Sequence, residues 1–166
     1  MDNIVSWEQL RGKLKTLRGE GKRIVFTNGC FDILHIGHVQ YLKRAKALGD
    51  ILVLALNSDS SVQSIKGPLR PIVPQDERAY IMASLDMVDY VTIFDEDTPL
   101  ELIEYIEPDI LVKGGDWSED TVVGRESVER RGGKVVIIPQ VNESSTEHPA
   151  STTSVIERIL SAYKGR

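Results

Sequence analysis

The sequence predicts a doubly wound α/β fold, in which helices cover both faces of a parallel sheet of five strands. Two observations support this prediction. Short, continuous apolar runs of strand length alternate along the chain with longer segments of helical periodicity. The length of 166 residues also fits one domain, with a helix within 1–21 and a sheet-containing core over 22–166.

The first element is predicted to be a helix over 6–19. Ser6 is a suitable N-cap residue, and Gln9 follows it at the spacing of a capping box. Val5 and Leu10 flank this start at the two positions of a hydrophobic staple. We therefore expect a helix that begins at a defined residue and packs an apolar stripe on the core.

Strands and helices then alternate. The strand-like runs lie at 23–27, 50–56, 88–94, 109–113 and 134–138. The helical patterns lie at 36–48, 75–85, 98–106, 122–131 and 152–163. The run Thr98–Glu101 has the spacing of a second capping box, with Pro99 at the favoured first helical position. Two longer loops, 66–74 and 140–149, have lengths that are typical of functional or mobile segments.

The composition excludes several classes of protein. The net charge of −5 argues against a general nucleic-acid-binding protein, which usually carries a basic surface. The single cysteine, Cys30, has no partner for a disulfide within the chain. The sequence shows no secretory signal and no apolar run of the roughly 18 residues that a membrane helix needs. We therefore expect a cytoplasmic protein that binds neither nucleic acid nor membranes.

The segment Thr27–His38 connects the first strand to the next helix and carries most of the chemistry. His35 and His38 are three residues apart, so their imidazoles share one face at the start of that helix. The first N–H groups of a helix lack partners and carry partial positive charge. Since Gly37 allows a ligand to approach closely, the pattern predicts a phosphate-binding corner. A zinc site is disfavoured, because no cysteine or acidic residue has zinc-like spacing.

Two further polar motifs follow predicted strands, where parallel sheets bind their ligands. In Lys113–Trp117, Asp116 could accept hydrogen bonds from ribose or sugar hydroxyls. Trp117 either stacks on a base or covers apolar surface. Ser151–Ser154 opens the last helix and supplies either phosphate contacts or an ordinary helix cap.

Cations surround the loop at 66–74. Lys66, Arg70 and Arg78 are suited to neutralise a triphosphate tail. The alternative interpretation is a solvated, charged loop.

Asp32 and Lys46 each have two interpretations. Asp32 either orients an imidazole or caps the helix that follows it. Lys46 shares the helix face of His35 but lies about 16 Å further along the axis, where contact with solvent is an alternative to contact with a substrate. The glycine patterns of P-loop, dinucleotide-binding and esterase motifs are absent from the sequence.

The block Gly29–His38 strongly resembles the first signature of the HxGH nucleotidyltransferases, and Ser151–Thr153 resembles their second. The resemblance runs from about Arg23 to Leu160. It implies a Rossmann-like sheet with strand order 3-2-1-4-5, whose first and fourth strands flank the ligand site. It also implies transfer of a nucleotidyl group from a nucleoside triphosphate that carries Mg²⁺. The expected assembly is a homodimer.

Within this superfamily the chain is most similar to the bacterial heptose 1-phosphate adenylyltransferases. The similarity lies in Asn57–Asp59, in the segment 66–71 and in Ile110–Asp116. Glycerol 3-phosphate cytidylyltransferases share both signatures but typically carry an arginine where this chain has Thr146. The loop 140–149 departs from the heptose pattern as well, which leaves the preferred base open.

The motifs and the resemblance together imply that ATP and a sugar 1-phosphate, D-glycero-β-D-manno-heptose 1-phosphate, react to give an ADP-sugar and pyrophosphate. The implied catalytic residues are His35, His38, Lys66 and Arg78. The implied nucleotide-binding residues are Asn28, Gly29, Cys30, Phe31, Gly37, His38, Arg70, Lys113, Gly114, Ser151, Thr152, Thr153 and Ser154. The implied sugar-phosphate-binding residues are Asp32, Lys46, Asp116 and Trp117.

A sugar kinase on a separate chain is expected to supply the acceptor. Two alternative functions remain at this point. The first is cytidylyl transfer from CTP to glycerol 3-phosphate. The second is a regulatory module that binds a nucleotide without turnover.

Overall fold

The computed structural model describes residues 1–115, 118–139 and 150–164. Its five parallel strands have the order β3-β2-β1-β4-β5, which confirms the predicted fold. The strands are β1 (Ile24–Gly29), β2 (Ile51–Asn57), β3 (Tyr90–Phe94), β4 (Ile110–Gly114) and β5 (Lys134–Ile138). The helices are α1 (Trp7–Gly19), α2 (Ile36–Lys46), α3 (Asp59–Lys66), α4 (Gln75–Ala83), α5 (Leu100–Ile106), α6 (Arg125–Arg130) and α7 (Thr152–Tyr163). A 3₁₀ turn, Glu119–Thr121, precedes α6.

Helices cover both faces of the sheet, because successive side chains of a strand point to opposite sides. On β2, Val53 and Ala55 belong to a core that α1, α5 and α6 complete. Leu52 and Leu54 belong to a second core, to which α2 and α4 contribute. These two cores explain why the strands are continuous apolar runs rather than alternating ones.

The predicted start of α1 is confirmed. The Ser6 hydroxyl accepts a hydrogen bond from the Gln9 N–H at 3.3 Å, and the Gln9 side chain accepts one from the Ser6 N–H at 3.0 Å. Val5 and Leu10 are both buried in the same core. Local capping chemistry therefore sets the start of this helix.

The predicted capping box at Thr98–Glu101 is wrong. Pro99 occupies the N-cap position itself, and α5 begins at Leu100 without a side-chain cap. The Thr98 hydroxyl therefore lies one residue too early to cap the first turn.

Helix α3 was not predicted from the sequence. It is only two turns long and rich in serine, so neither its periodicity nor its helix propensity stands out. Its start has a recognisable cap, since the Ser58 hydroxyl accepts a hydrogen bond from the Ser61 N–H at 3.2 Å. The 122–131 pattern also gives a shorter helix than expected, because Gly124 has a left-handed backbone (φ 88°) just before α6.

The strand order reverses between β1 and β4. Helix α2, which follows β1, packs on one face through Leu42, whereas α6, which follows β4, packs on the other through Val128. A crevice forms at such a switch point, at the carboxyl ends of the strands. Among the described residues, every helix is too short or too polar to cross a bilayer.

Candidate active site

A cleft of about 660 Å³ opens at this switch point, a volume within the usual range for small-molecule sites. Fifteen of the predicted site residues line it. They are Asn28, Gly29, Cys30, Phe31, Asp32, His35, Gly37, His38, Lys66, Arg70, Lys113, Gly114, Ser151, Thr152 and Thr153. Arg78, Lys46 and Ser154 do not line the cleft. Asp116, Trp117 and the 140–149 loop lie outside the described residues.

The two histidines of the first motif lie against each other. Their rings stack with centroids 3.7 Å apart and an angle of 27° between the planes, and the Phe31 ring lies 5.0 Å from that of His38. Phe31 has a left-handed backbone (φ 43°), an uncommon conformation for a bulky residue. The strand-to-helix turn therefore holds both imidazoles at the cleft wall.

Neither imidazole is charged in the free protein near neutral pH. Burial lowers the pKa of His35, and burial together with the charge of His35 lowers the pKa of His38 to about 3. The Nδ1 atoms of both rings are buried and have no hydrogen-bond partner within the described part of the chain. Such atoms are available to a ligand, and a negatively charged ligand would raise the pKa of both rings.

Two helix N-termini face the cleft. His35 is the N-cap residue of α2 and makes no side-chain capping hydrogen bond. Ser151 is the N-cap residue of α7, and its hydroxyl accepts a hydrogen bond from the Ser154 N–H at 3.1 Å. The Thr152 hydroxyl lies 3.5 Å from the Ile33 carbonyl, which connects the two helix starts. Two partial positive charges therefore converge on one cleft.

The predicted role of Ser154 at a phosphate needs correction. Its side chain is buried and does not line the cleft. Ser151, three residues earlier, is the residue that caps α7 and reaches the cleft wall.

Asp32 neither caps α2 nor hydrogen-bonds to an imidazole within the described part of the chain, so both interpretations of its role are wrong. It lines the cleft, and its assignment to sugar phosphate stays a prediction. Its buried carboxylate accepts hydrogen bonds from the Ile72 and Val73 N–H groups, both at 2.8 Å, and from Arg70 Nε at 2.5 Å. Burial alone would raise the pKa of Asp32, but these hydrogen bonds outweigh it and lower the pKa. Asp32 therefore anchors the basic loop to the first motif and orients Arg70 towards the cleft.

Arg78 is completely buried, which corrects its predicted contact with phosphates. Its Nη1 donates to the Cys30 carbonyl at 2.6 Å and to the Asn57 carbonyl at 2.9 Å, and its Nε donates to the Val73 carbonyl at 2.9 Å. Its Nη2 forms an ion pair with Asp59 at 2.7 Å. The guanidinium therefore binds three loops of the cleft wall together.

Lys46 lies at the wrong edge of the sheet for a substrate contact. Its ammonium pairs with Asp89 at 2.5 Å and donates to the Asp50 carbonyl. Asp50 immediately precedes β2 and Asp89 immediately precedes β3, so both mark the amino edge of the sheet. Because α2 runs from the carboxyl edge back to the amino edge, its last residue is about 15 Å from its first.

Lys113 and Asn28 meet across the switch point. Lys113 is on β4 and donates from its ammonium to the side-chain oxygen of Asn28 on β1. Burial lowers the pKa of Lys113 to about 8.

Sequence reasoning missed Tyr41 and Arg44, which also line the cleft. The signal was present, because both continue from His38 at intervals of three along one face of α2. The Tyr41 hydroxyl lies 2.6 Å from the Thr27 hydroxyl and donates to the Val112 carbonyl at 3.1 Å. Tyr41 therefore fixes α2 against the two strands that flank the switch point.

The donor set fits an anion better than a bare metal ion. No group of three or more His, Cys, Asp or Glu suited to a metal occurs in the described ranges. Asp32 is engaged with the basic loop, and Asp97 accepts a hydrogen bond from Ser64. A chain with a net charge of −5 thus directs imidazoles, lysines and helix N-termini to one cleft.

Residues 26–158 match the model of the cytidylyltransferase-like family. The chain is 55% identical over 157 residues to the bifunctional protein HldE of Syntrophotalea carbinolica, which covers 95% of this chain and 31% of that protein. It is 54% identical over 160 residues to HldE of Geobacter sulfurreducens, with 96% and 31% covered. The chain thus spans about a third of the length of these curated relatives.

Two solved structures are similar. The lipopolysaccharide core biosynthesis protein of Thermoplasma volcanium has a TM-score of 0.64 and 31% identity, covering 74% of this chain and 100% of that one. The pantoate-beta-alanine ligase of Francisella tularensis, solved with beta-gamma ATP and beta-alanine, has a TM-score of 0.57 and 15% identity, covering 86% and 69%. The second likeness concerns the fold alone.

Proposed function

Because the chain belongs to the cytidylyltransferase-like family, we propose that it transfers AMP from ATP to a sugar 1-phosphate, D-glycero-β-D-manno-heptose 1-phosphate. The products would be an ADP-sugar and pyrophosphate. The observation that carries this proposal is the stacked pair of His35 and His38 at the start of α2, which lines the same cleft as the α7 N-terminus, Lys66, Arg70 and Lys113. The high identity to HldE proteins and the likeness to a lipopolysaccharide core biosynthesis protein support a sugar acceptor.

The reaction requires little proton chemistry. An oxygen of the acceptor phosphate forms a bond to the α-phosphorus, and the bond from that phosphorus to the bridging oxygen breaks. Pyrophosphate leaves with the electron pair. Since the acceptor phosphate is already ionised, no general base is needed, and catalysis consists of positioning and charge stabilisation.

The proposed roles follow from position. His35 and His38 would contact the α- and β-phosphates. The negative charge of the bound phosphates would raise the pKa of both imidazoles and so favour their protonated form. Lys66 and Arg70 would hold the β- and γ-phosphates on the side of the cleft beyond β2. The α7 N-terminus, through Ser151 to Thr153, would complete the nucleotide site.

Mg²⁺ would enter as part of the ATP substrate. The triphosphate and water would supply its ligands, in keeping with the engagement of Asp32 and Asp97, the two carboxylates among the described residues that line the cleft. A homodimer and a kinase on a separate chain stay predictions.

Pyrophosphate release with Mg²⁺ should be measured for ATP, CTP, GTP and UTP, each with the heptose 1-phosphate and with glycerol 3-phosphate. Turnover with ATP and the heptose phosphate is expected. Turnover with CTP and glycerol 3-phosphate would support the mechanism and overturn the substrates. Saturable ATP binding with no release in any combination would favour a binding module.

Gly37→Ala should lower kcat/KM for ATP by roughly tenfold, because small displacements of reacting groups are costly. A Cβ at Gly37 would lie 3.1 Å from the Ala150 carbonyl and 3.1 Å from the His35 ring, so the helix starts must move apart. Gly12→Ala in α1 is a matched control, since no atom lies within 4 Å of that Cβ. Equal activity of both variants would contradict the tight approach of α2 and α7.

A further inference from the structure

Lys113 differs from the other cations of the cleft. Its side chain is partly buried, whereas Lys66 is exposed and Arg70 is paired with Asp32. Its ammonium has one described partner, the neutral side chain of Asn28. Within the described ranges no carboxylate lies at ion-pair distance from it. A charge that is partly removed from water and has no counter-ion is stabilised when a ligand supplies one.

The strand register places Lys113 beside Asn28 at the switch point. Thr27 of β1 pairs with Val112 of β4, so Asn28 and Lys113 are the next residues on adjacent strands. The helices that follow these two strands, α2 and α6, pack on opposite faces of the sheet. A ligand bound at the switch point would therefore reach this ammonium.

Apart from Arg44 on α2, the described cations of the cleft follow or lie on strands at opposite sides of β1. Lys66 and Arg70 follow β2, on one side of β1, and Lys113 is on β4, on the other side. In phosphoryl and nucleotidyl transfer, the attacking and leaving oxygens lie roughly in line on opposite sides of phosphorus. If pyrophosphate leaves beside Lys66 and Arg70, the attacking phosphate enters from the side of Lys113.

We propose that Lys113 is the receptor for the acceptor's phosphate, whose negative charge supplies a counter-ion to an ammonium that has none among the described residues. This inference rests on the proposed nucleotidyl transfer. It assigns Lys113 to the attacking phosphate rather than to the phosphates of the nucleotide. Asn28 then acts as a positioning residue that directs the ammonium into the cleft.

Binding of a phosphate by Lys113 should depend on pH. The free ammonium, with its pKa lowered to about 8 by burial, loses its proton above that pH, and only the protonated form attracts an anion. Affinity for the acceptor should therefore be constant from pH 7 to about 8 and then fall, approaching tenfold per pH unit.

Among the described residues, the other groups near Lys113 with shifted pKa values do not titrate in this range. Burial raises the pKa of the Cys30 thiol on the β1–α2 loop and of the Tyr41 hydroxyl on α2. His35 and His38 on α2 have lowered pKa values. The β5 residue beside Lys113 is the apolar Ile137.

The test compares Lys113→Met, Lys113→Arg and the control Lys22→Met, which removes an exposed lysine just after α1. Kinetics with ATP and the heptose 1-phosphate would be measured from pH 7.0 to 8.8, and circular dichroism would verify folding. Lys113→Met should lower kcat/KM for the heptose phosphate on the order of 10²-fold and change ATP affinity less than about twofold. Lys113→Arg should retain more activity and lose the decline above pH 8.

Calorimetric titration with inorganic phosphate provides a readout that needs no turnover. Weaker phosphate binding to Lys113→Met than to Lys22→Met would support the inference even if the acceptor is another phosphomonoester. A loss confined to ATP affinity would overturn it in favour of a nucleotide contact. Persistence of the decline above pH 8 in Lys113→Met would also overturn it. An inactive wild-type protein that still binds phosphate through Lys113 would count against the proposed function alone.

Discussion

His38→Ala should lower the rate of pyrophosphate release on the order of 10²-fold or more. The His38 ring lies against those of His35 and Phe31, and its buried Nδ1 has no partner in the described part of the chain. A buried group with an unused hydrogen-bonding atom fits a contact that forms when the ligand arrives. The rate is measured with saturating ATP and acceptor, so that a change in binding alone does not mimic the loss.

His35→Ala and the double variant separate the two imidazoles. If both stabilise the same developing charge, the double variant should lose much less than the product of the single losses. Thermal unfolding of each variant reports whether the protein, including the turn from β1 to α2, still folds. Unchanged turnover of a folded His38→Ala variant would remove the proposed mechanism.

Arg78→Met should lower the free energy of unfolding by about 3–5 kcal/mol, because three carbonyl groups and a partly exposed carboxylate lose one fully buried donor. Asp59 would lose its partner, and the carbonyls of Cys30, Asn57 and Val73 would lose their donors. Arg78→Lys should retain the charge but lose the planar donor geometry. Its free energy of unfolding should therefore lie between those of the wild-type protein and Arg78→Met. Urea denaturation measures the effect.

Arg125→Met is the matched control for Arg78→Met. Arg125 pairs with Asp120 and Glu129 at the surface, where ion pairs contribute little. The urea midpoint of the Arg125→Met variant should equal that of the wild-type protein. A folded Arg78→Met variant with wild-type stability but a raised KM for ATP would restore the original prediction that Arg78 contacts phosphate.

The histidine motif could be located from the sequence because its geometry is local. The turn from β1 to α2 places residues three apart on one helix face, whatever the rest of the chain does. The same holds for the Ser6 cap and for the alternation that predicts a parallel sheet. The same reasoning could have predicted that Tyr41 and Arg44 line the cleft, since they continue the same helix face.

The sequence did not predict the partners of Arg78, Asp32 and Lys46. Charge and proximity along the chain made each a plausible ligand contact. The partners of Arg78 other than Val73 are 19 to 48 residues away, those of Asp32 are 38 to 41 residues away, and the Asp89 partner of Lys46 is 43 residues away. Spacing along the chain carries no information about such partners, so a cation that contacts substrate and one that stabilises loops look alike.

The fold class, the strand order and the position of the histidine motif at the switch point were therefore accessible from short-range patterns and a family resemblance. Which polar side chains remain available to a ligand depended on packing between distant segments. The physical reason is that burial makes every charge find a partner or lose its charge. Arg78 donates to carbonyls and pairs with Asp59, and Asp32 accepts hydrogen bonds from the basic loop. The described partner of Lys113 is the neutral Asn28.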